Sequence, residues 1–173
     1  MQKNIVLIGF MGSGKTAVGK ALSRRLKRDF VDLDEVIVQS EGRAITEIFA
    51  QSGEAYFRQK EKALVKEFSL KSNLIISCGG GVVLVAENLK NLKRGGTVIY
   101  LKAAPQVILA RTRHSSHRPL LNVADPQKKI KKLLAAREPL YLQADIIVDT
   151  TRKSVSEVVE EIISKIETIG RRF

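Results

Sequence analysis

Apolar positions along the chain fall into two alternating patterns. Short runs rich in Val, Ile and Leu are typical of buried β-strands, and they occur at residues 4–8, 30–33, 74–77, 97–101 and 145–148. Longer segments between these runs repeat apolar residues every three or four positions, which indicates amphipathic helices. Because helices separate the strands, the pattern predicts an α/β fold with a parallel sheet and helical crossovers.

The helical segments each present one apolar stripe. The stripes comprise Val18, Leu22 and Leu26; Phe57, Leu64 and Phe68; Ile130, Leu133 and Leu134; and Val155, Val158, Val159, Ile162, Ile163 and Ile166. Asp125 followed by Pro126 marks the start of the third of these helices, and Pro139 is expected to end it. Ser154 and Glu157 have the spacing of a capping box at the start of the last one.

A glycine-rich loop follows the first predicted strand. Residues 9–16, Gly-Phe-Met-Gly-Ser-Gly-Lys-Thr, match the phosphate-loop pattern G-x-x-x-x-G-K-[ST], with a strand before them and a helical stripe after them. Glycines let successive N–H groups point at phosphates, and the start of the helix adds partial positive charge. Lys15 is expected to reach the β- and γ-phosphates, and the Thr16 hydroxyl to bind Mg²⁺. The loop predicts nucleotide binding but leaves the reaction open.

Two aspartates lie at the end of the second predicted strand. Asp32 and Asp34 alternate with apolar residues, so on an extended strand both side chains face the same side. The carboxyl end of a parallel strand borders the ligand crevice of an open α/β sheet. One carboxylate there would accept a proton from a hydroxyl, and the other would order the water ligands of Mg²⁺. The alternative is that Asp34 only caps a helix beginning at Glu35.

Charged residues interrupt two of the apolar stripes. Glu61 lies on the stripe of the helix at 54–68, and Arg58 is three residues away, close enough to pair with it. Paired in this way, Arg58 would still have N–H donors left for a ligand. The alternative is that Arg58 only forms an ion pair on the helix surface, for which Glu54, four residues earlier, is also close enough. Arg137 falls on the buried stripe of its own helix, where a guanidinium needs an anion. That anion is either a protein carboxylate or a substrate carboxylate.

Two connecting segments contain further candidates. Residues 79–81 are three consecutive glycines, which let a backbone approach a ligand closely and offer N–H donors; a flexible turn is the alternative. Residues 113–124 show no periodicity, which predicts a mobile loop. Arg111, Arg113 and Arg118 belong to this region, and an arginine closing over the γ-phosphate would stabilise the transferred group. A basic loop that is merely solvated is the alternative.

Composition narrows the class of protein. The chain has 173 residues, 44% hydrophobic and 28% charged, which fits one folded domain and not a disordered chain. The 30 Lys and Arg against 18 Asp and Glu give a net charge of +12, which suits an anionic partner. The single cysteine, Cys78, excludes an internal disulfide and a cysteine-ligated zinc site, and we expect it to be buried. With no signal-peptide pattern and no bilayer-spanning apolar run, we expect a cytoplasmic protein, with a monomer as the default.

Together these motifs resemble the shikimate kinase family. The matching pieces are the loop at 9–16, Asp32-Leu-Asp34, Phe57-Arg58 with Glu61, Gly79-Gly80-Gly81, Arg118-Pro-Leu-Leu121 and Arg137-Glu-Pro-Leu-Tyr141. They occur in the family's order, and the combination is far more specific than the phosphate loop, which many NTPases share. The resemblance implies a single three-layer P-loop kinase domain over residues 1–173, with a five-stranded parallel sheet in order 2-3-1-4-5 and flanking helices. It also implies a substrate-binding helical segment at about 34–60 and a mobile lid at about 112–124.

The same resemblance implies an activity and a set of residue roles. The family transfers the γ-phosphoryl group of ATP to the 3-hydroxyl of shikimate, a step toward chorismate and the aromatic amino acids. Lys15, Asp34 and Arg118 would be catalytic, with Asp34 polarising or deprotonating the attacking hydroxyl. The residues that bind ATP would be Gly12, Ser13, Gly14, Lys15, Thr16, Ala17, Arg111, Arg118 and either Arg152 or Lys153. The residues that bind shikimate would be Asp34, Arg58, Glu61, Gly79, Gly80, Gly81 and Arg137, and those that bind Mg²⁺ would be Thr16 and Asp32.

Two other functions compete with this one. A related P-loop kinase would act on a sugar acid or a nucleoside monophosphate, although two inward-facing arginines suit a carboxylate and no base pocket is evident. An ATP-regulated nucleic-acid binder would use the basic surface, but it leaves Arg137 on an apolar stripe unexplained, and an aromatic fraction of 5% offers few stacking platforms. We therefore expect a small-molecule kinase with no nucleic-acid or membrane partner.

Overall fold

The computed structural model describes residues 3–113 and 123–170 of the chain. The first half contains β1 (Asn4–Ile8), α1 (Lys15–Leu26), β2 (Asp29–Asp32), α2 (Leu33–Glu41), α3 (Ile45–Ser69) and β3 (Leu74–Ser77). The second half contains a short 3-10 helix (Val82–Leu84), α4 (Ala86–Gly95), β4 (Gly96–Lys102), α5 (Pro105–Thr112), α6 (Pro126–Tyr141), β5 (Ile146–Asp149) and α7 (Val155–Gly170).

The strands form one parallel sheet in the order β2-β3-β1-β4-β5. Successive residues of β1 face opposite sides of it. Ile5 and Leu7 belong to a core with residues of α1 and α7, whereas Val6 and Ile8 belong to a core with residues of α3, α4 and α6. Helices therefore cover both faces of the sheet, which confirms the expected three-layer architecture and its strand order.

Two local predictions are wrong. Pro139 does not end its helix, because α6 continues to Tyr141 with the proline inside it. The proline removes one backbone hydrogen bond, but burial of Tyr141 in the core offsets that loss. The second error concerns the junction after β2, where Leu33 already opens α2 and Asp34 is helical and not extended. Asp32 caps this helix, since its Oδ1 accepts the Asp34 N–H at 3.1 Å.

α3 is longer than the predicted helix and contains a kink. Gly53 has φ 81° and ψ 167°, a backbone conformation that is essentially restricted to glycine. Apart from its chain neighbours and the backbone of its own helix, no atom of the described residues lies within 4 Å of a Cβ built at Gly53, so the conformation and not the packing requires glycine. Although α3 has 25 residues, no helix in the described ranges combines the length and apolar character needed to cross a membrane.

The predicted lid at about 112–124 lies mostly outside the described residues. Thr112, at its start, is the last residue of α5. Its buried hydroxyl donates to the Ile108 carbonyl at 2.7 Å. Thr112 therefore belongs to the packed body of the protein and not to a loop.

Candidate active site

A cavity of about 710 Å³ opens where β1, β2 and β3 end, the usual ligand crevice of an open α/β sheet. Most of the predicted site residues line it, namely Gly12, Gly14, Lys15, Thr16, Ala17, Asp32, Asp34, Arg58, Gly79, Gly80, Gly81, Arg111 and Arg137. Two more, Ser13 and Glu61, are fully buried. The fold thus brings most of the predicted ATP-binding residues and the predicted acceptor-binding residues to one cavity, whose volume suits small-molecule ligands.

The phosphate loop curls around the start of α1. Gly12 and Gly14 have φ 77° and 99°, values that L side chains rarely adopt and glycine adopts freely. The Lys15 ammonium donates to the carbonyls of Gly9 at 2.9 Å and Phe10 at 3.1 Å. The lysine therefore folds back over its own loop, where the phosphates of a nucleotide are expected.

A threonine and an aspartate form a hydrogen-bonded pair of oxygen groups beside this loop. The Thr16 hydroxyl donates to Asp32 Oδ2 at 2.9 Å, while Oδ1 of the same carboxylate caps α2. Oxygen ligands of this kind are those that Mg²⁺ prefers. The described ranges contain no cluster of three or more His, Cys, Asp and Glu that would bind a metal unaided. The pair fits a Mg²⁺ ion that takes its other ligands from phosphate and water.

Arg58 pairs with two glutamates of its own helix. Its guanidinium lies 2.8 Å from Glu61 and 3.0 Å from Glu54, so the buried pair and the more exposed pair both form. Burial raises the pKa of Glu61 to about 7, although the charge of Arg58 opposes that shift. The same guanidinium packs against Gly81, where a Cβ would collide with it. Arg58 is thus held between its glutamates and the glycine turn, residues 79–81.

Two carboxylates crowd the start of the glycine turn. A Cβ built at Gly79 would lie 2.6 Å from Asp34 Oδ1 and 2.9 Å from Glu61 Oε1. A side chain at position 79 would therefore have to displace these two carboxylates. Cys78, directly before the turn, is buried as expected, and burial raises the pKa of its thiol well above the ordinary value. The thiol is therefore protonated at neutral pH and is no nucleophile.

Arg137 is a buried cation without a carboxylate partner in the described part of the chain. Arg137 is only 5% exposed. It forms none of the ion pairs found among the described residues. Its guanidinium donates to the Gly80 carbonyl at 3.3 Å and lies 5.8 Å from the centre of the Phe10 ring. Of the two anions that the sequence left open, a substrate carboxylate is the one this geometry favours.

The remaining predicted ATP-binding residues lie in different surroundings. Arg111 lines the cavity and donates to the carbonyls of Gly12 at 3.3 Å and Thr150 at 3.1 Å. Arg152 and Lys153 are exposed and do not line the cavity. Lys153 pairs with Glu161 of α7. Arg118 lies outside the described residues.

Sequence reasoning assigned no role to two residues that support this site. The Thr150 hydroxyl is buried 3.1 Å from the carbonyls of both Ser13 and Lys102. Its place directly after a parallel strand is a signal that would have identified it. The Tyr141 hydroxyl donates to the Gly80 carbonyl. Periodicity places Tyr141 only on the apolar stripe of α6 and gives no sign of this contact.

The parallel sheet, the phosphate loop and the buried Arg137 on the wall of the same cavity are typical of P-loop kinases that act on small molecules. A family model described as Shikimate kinase matches residues 11–167. The chain belongs to the shikimate kinase family.

Individual relatives agree with this assignment. The shikimate kinase of Thermodesulfovibrio yellowstonii is 47% identical over 168 residues, which cover 97% of each chain. The structure of shikimate kinase from Acinetobacter baumannii in complex with shikimate has a TM-score of 0.94 at 36% identity, covering 97% of this chain and 94% of that one. A gluconokinase from Sinorhizobium meliloti has a TM-score of 0.63 at 18% identity, with 98% and 94% coverage. It shares the fold alone.

Proposed function

We propose that this protein transfers the γ-phosphoryl group of ATP to the 3-hydroxyl of shikimate, giving shikimate 3-phosphate and ADP. Arg137 carries the proposal, because it is a buried guanidinium on a cavity wall with no carboxylate partner among the described residues. Such a group needs an anion, and a carboxylate satisfies it with two parallel hydrogen bonds. The shikimate bound to the Acinetobacter baumannii enzyme supports the same acceptor here.

The donor side of the cavity binds ATP. Phosphate-loop N–H groups and the start of α1 cradle the phosphates, and Lys15 leaves the loop carbonyls to contact the β- and γ-phosphates. Thr16 and Asp32 would hold Mg²⁺, which when bound neutralises charge on those phosphates. Arg111 flanks the adenine. After β5, Arg152 is favoured as the further nucleotide contact, because Lys153 is occupied by Glu161.

The acceptor side orients shikimate. Arg58 and Arg137 bind its carboxylate, and the N–H groups of Gly80 and Gly81 donate to it from the glycine turn. Asp34 accepts the proton of the attacking hydroxyl as the new O–P bond forms and ADP leaves with the electrons of the broken one. Arg118, outside the described residues, is assigned by resemblance to the transferred phosphoryl group.

Assembly, location and nucleic-acid binding stay predictions from the sequence: a monomer in the cytoplasm that binds neither nucleic acid nor membrane. A kinase with small anionic substrates does not require a net charge of +12. Filter binding at two salt concentrations tests the nucleic-acid prediction, and strong retention of DNA or RNA that salt abolishes would contradict it.

The experiment that tests the proposed function is steady-state ADP release by the purified protein with Mg-ATP. Release is expected to depend on shikimate and to be absent with gluconate or a nucleoside monophosphate. Lys15→Ala should abolish it, because this charge matters most in the transition state. A folded Asp34→Asn or Arg137→Ala variant that turns over like the parent would show that these roles are wrongly assigned. ATP binding without shikimate-dependent release would point to another acceptor.

A further inference from the structure

Tyr141 and Arg137 hold the same peptide group. Tyr141 is fully buried near the end of α6, and its hydroxyl donates to the Gly80 carbonyl. Arg137, four residues earlier on the same helix face, donates to that carbonyl at 3.3 Å. One carbonyl of the glycine turn is thus fixed by two donors from a single helix.

This peptide group joins the two halves of the site. A Cβ built at Gly80 would lie 3.3 Å from the Met11 nitrogen and 3.6 Å from the Gly9 oxygen, so the glycine turn touches the phosphate loop. The flanking glycines of the turn border Asp34 and Arg58. Because a glycine backbone has wide conformational freedom, the turn depends on outside contacts to stay in place.

We propose that the Tyr141 hydroxyl is a positioning group for the acceptor carboxylate. It satisfies the Gly80 carbonyl, so that Arg137 keeps most of its five N–H donors for the substrate and the N–H groups of the turn keep their direction. Without that hydroxyl, Arg137 alone must satisfy a carbonyl in the protein interior, and its guanidinium is drawn away from the substrate. The inference rests on the proposed function, since it describes how the same site recognises its acceptor.

Tyr100 supplies a matched control in the same part of the core. Its ring stacks on that of Tyr141, with centroids 4.9 Å apart and planes 18° apart, and both residues are buried. The Tyr100 hydroxyl, however, has no hydrogen-bond partner within the described ranges. Tyr100→Phe and Tyr141→Phe therefore each remove one buried hydroxyl from one aromatic stack, but only the second removes a contact to the site.

The test compares the full-length parent, Tyr141→Phe and Tyr100→Phe. ADP release is measured with shikimate varied at saturating ATP, and with ATP varied at saturating shikimate. In Tyr141→Phe the KM for shikimate is expected to rise roughly three- to ten-fold, the usual effect of one hydrogen bond, while the KM for ATP stays at the parent value. In Tyr100→Phe both KM values stay at the parent value. Hydrogen–deuterium exchange across residues 79–81 is expected to quicken in Tyr141→Phe only.

Several outcomes would overturn the positioning role. These are an unchanged KM for shikimate in Tyr141→Phe, an equal rise in both KM values, or the same rise in Tyr100→Phe. Loss of folding in Tyr141→Phe but not in Tyr100→Phe would assign the hydroxyl to stability alone. A parent that releases no ADP with shikimate would instead contradict the proposed function. Even in that case, hydrogen–deuterium exchange across residues 79–81 tests the contact: the same exchange rate in Tyr141→Phe as in the parent would show that the hydroxyl does not hold the Gly80 carbonyl in place.

Discussion

At the scale of single residues, the acid–base behaviour of the site centres on Glu61. Burial is the main reason why the pKa of its carboxyl rises from 4.5 to about 7; Asp34 adds to the rise, and Arg58 and Arg137 oppose it. Between these two pH values the folded protein therefore holds a proton that the unfolded chain has released. The free energy of unfolding consequently falls as the pH rises through this window.

Glu61→Gln should remove this pH dependence. Because glutamine has no proton to lose, the variant is expected to gain stability relative to the parent as the pH rises from 4.5 to about 7, and the difference should level off above that. Urea unfolding of both ligand-free proteins across this range measures the difference. A difference that does not change with pH would mean that Glu61 does not titrate in this window.

Asp32 and Asp34 show how far the role of a single residue could be predicted from the sequence. A strand end beside a phosphate loop was enough to select Asp32 and Asp34 as site candidates. It was not enough to decide which of them caps α2: Asp32 does so through Oδ1, while its other oxygen accepts a hydrogen bond from Thr16, sixteen residues away, which the local pattern does not show. Arg137 was easier, since helical spacing alone places it on the buried face.

At the scale of secondary-structure elements, a hydrogen-bond network around Thr150 attaches the phosphate loop to the sheet. The Thr150 hydroxyl, directly after β5, lies 3.1 Å from the Ser13 carbonyl of the loop and from the Lys102 carbonyl that ends β4. Arg111 of α5 adds hydrogen bonds to Gly12 and Thr150. Elements far apart in the sequence thus fix the curvature of the loop.

Thr150→Val should loosen the phosphate loop. The substitution keeps the side-chain shape but leaves the Ser13 carbonyl without this donor, so the KM for ATP is expected to rise about ten-fold, with little change in the KM for shikimate. Thr150→Ser retains the hydroxyl and serves as the control. Steady-state kinetics of both variants check the prediction, which fails if the valine and serine variants have the same KM for ATP.

The bounds of helices and strands could be predicted from the sequence where a local pattern sets them. They could not be predicted where tertiary contacts determine them. The strands and the helices at α1, α6 and α7 follow from apolar spacing and caps, including the Ser154–Glu157 capping box. The kink of α3 did not follow, because a glycine in a helical pattern does not reveal its φ and ψ. The extension of α6 past Pro139 depends on burial of Tyr141, which the proline signal cannot show.

At the scale of the whole molecule, alternating strands and helices predict a parallel α/β sheet but not the order of its strands. That order came from the family resemblance, and the structure confirms it. The reason is that strand pairs join segments far apart in the sequence, such as Val6 with Ile76 and with Val98. Apolar spacing within one segment does not show which other segment it pairs with.

The free energy of unfolding of the whole protein is expected to depend on whether shikimate is bound at Arg137. Arg137→Met should make the ligand-free protein more stable, by about 1–3 kcal/mol, because it replaces a buried cation that forms no ion pair with any described residue by an apolar side chain. Shikimate at 100 times its Kd should stabilise the parent by about 2.7 kcal/mol and the variant far less. Thermal unfolding with and without shikimate measures both effects. A ligand-free variant that melts below the parent would contradict the argument.

Inside a cell, the buried guanidinium of Arg137 would link the lifetime of the protein to the supply of shikimate. Scarce shikimate leaves more molecules in the less stable empty form, which proteases reach through unfolding; abundant shikimate protects them. Protein abundance would then follow the flow of metabolite without any change in gene expression. We expect a pulse-chase half-life that lengthens with added shikimate in the parent and stays constant in Arg137→Met. Equal half-lives of the parent in both conditions would rule this coupling out.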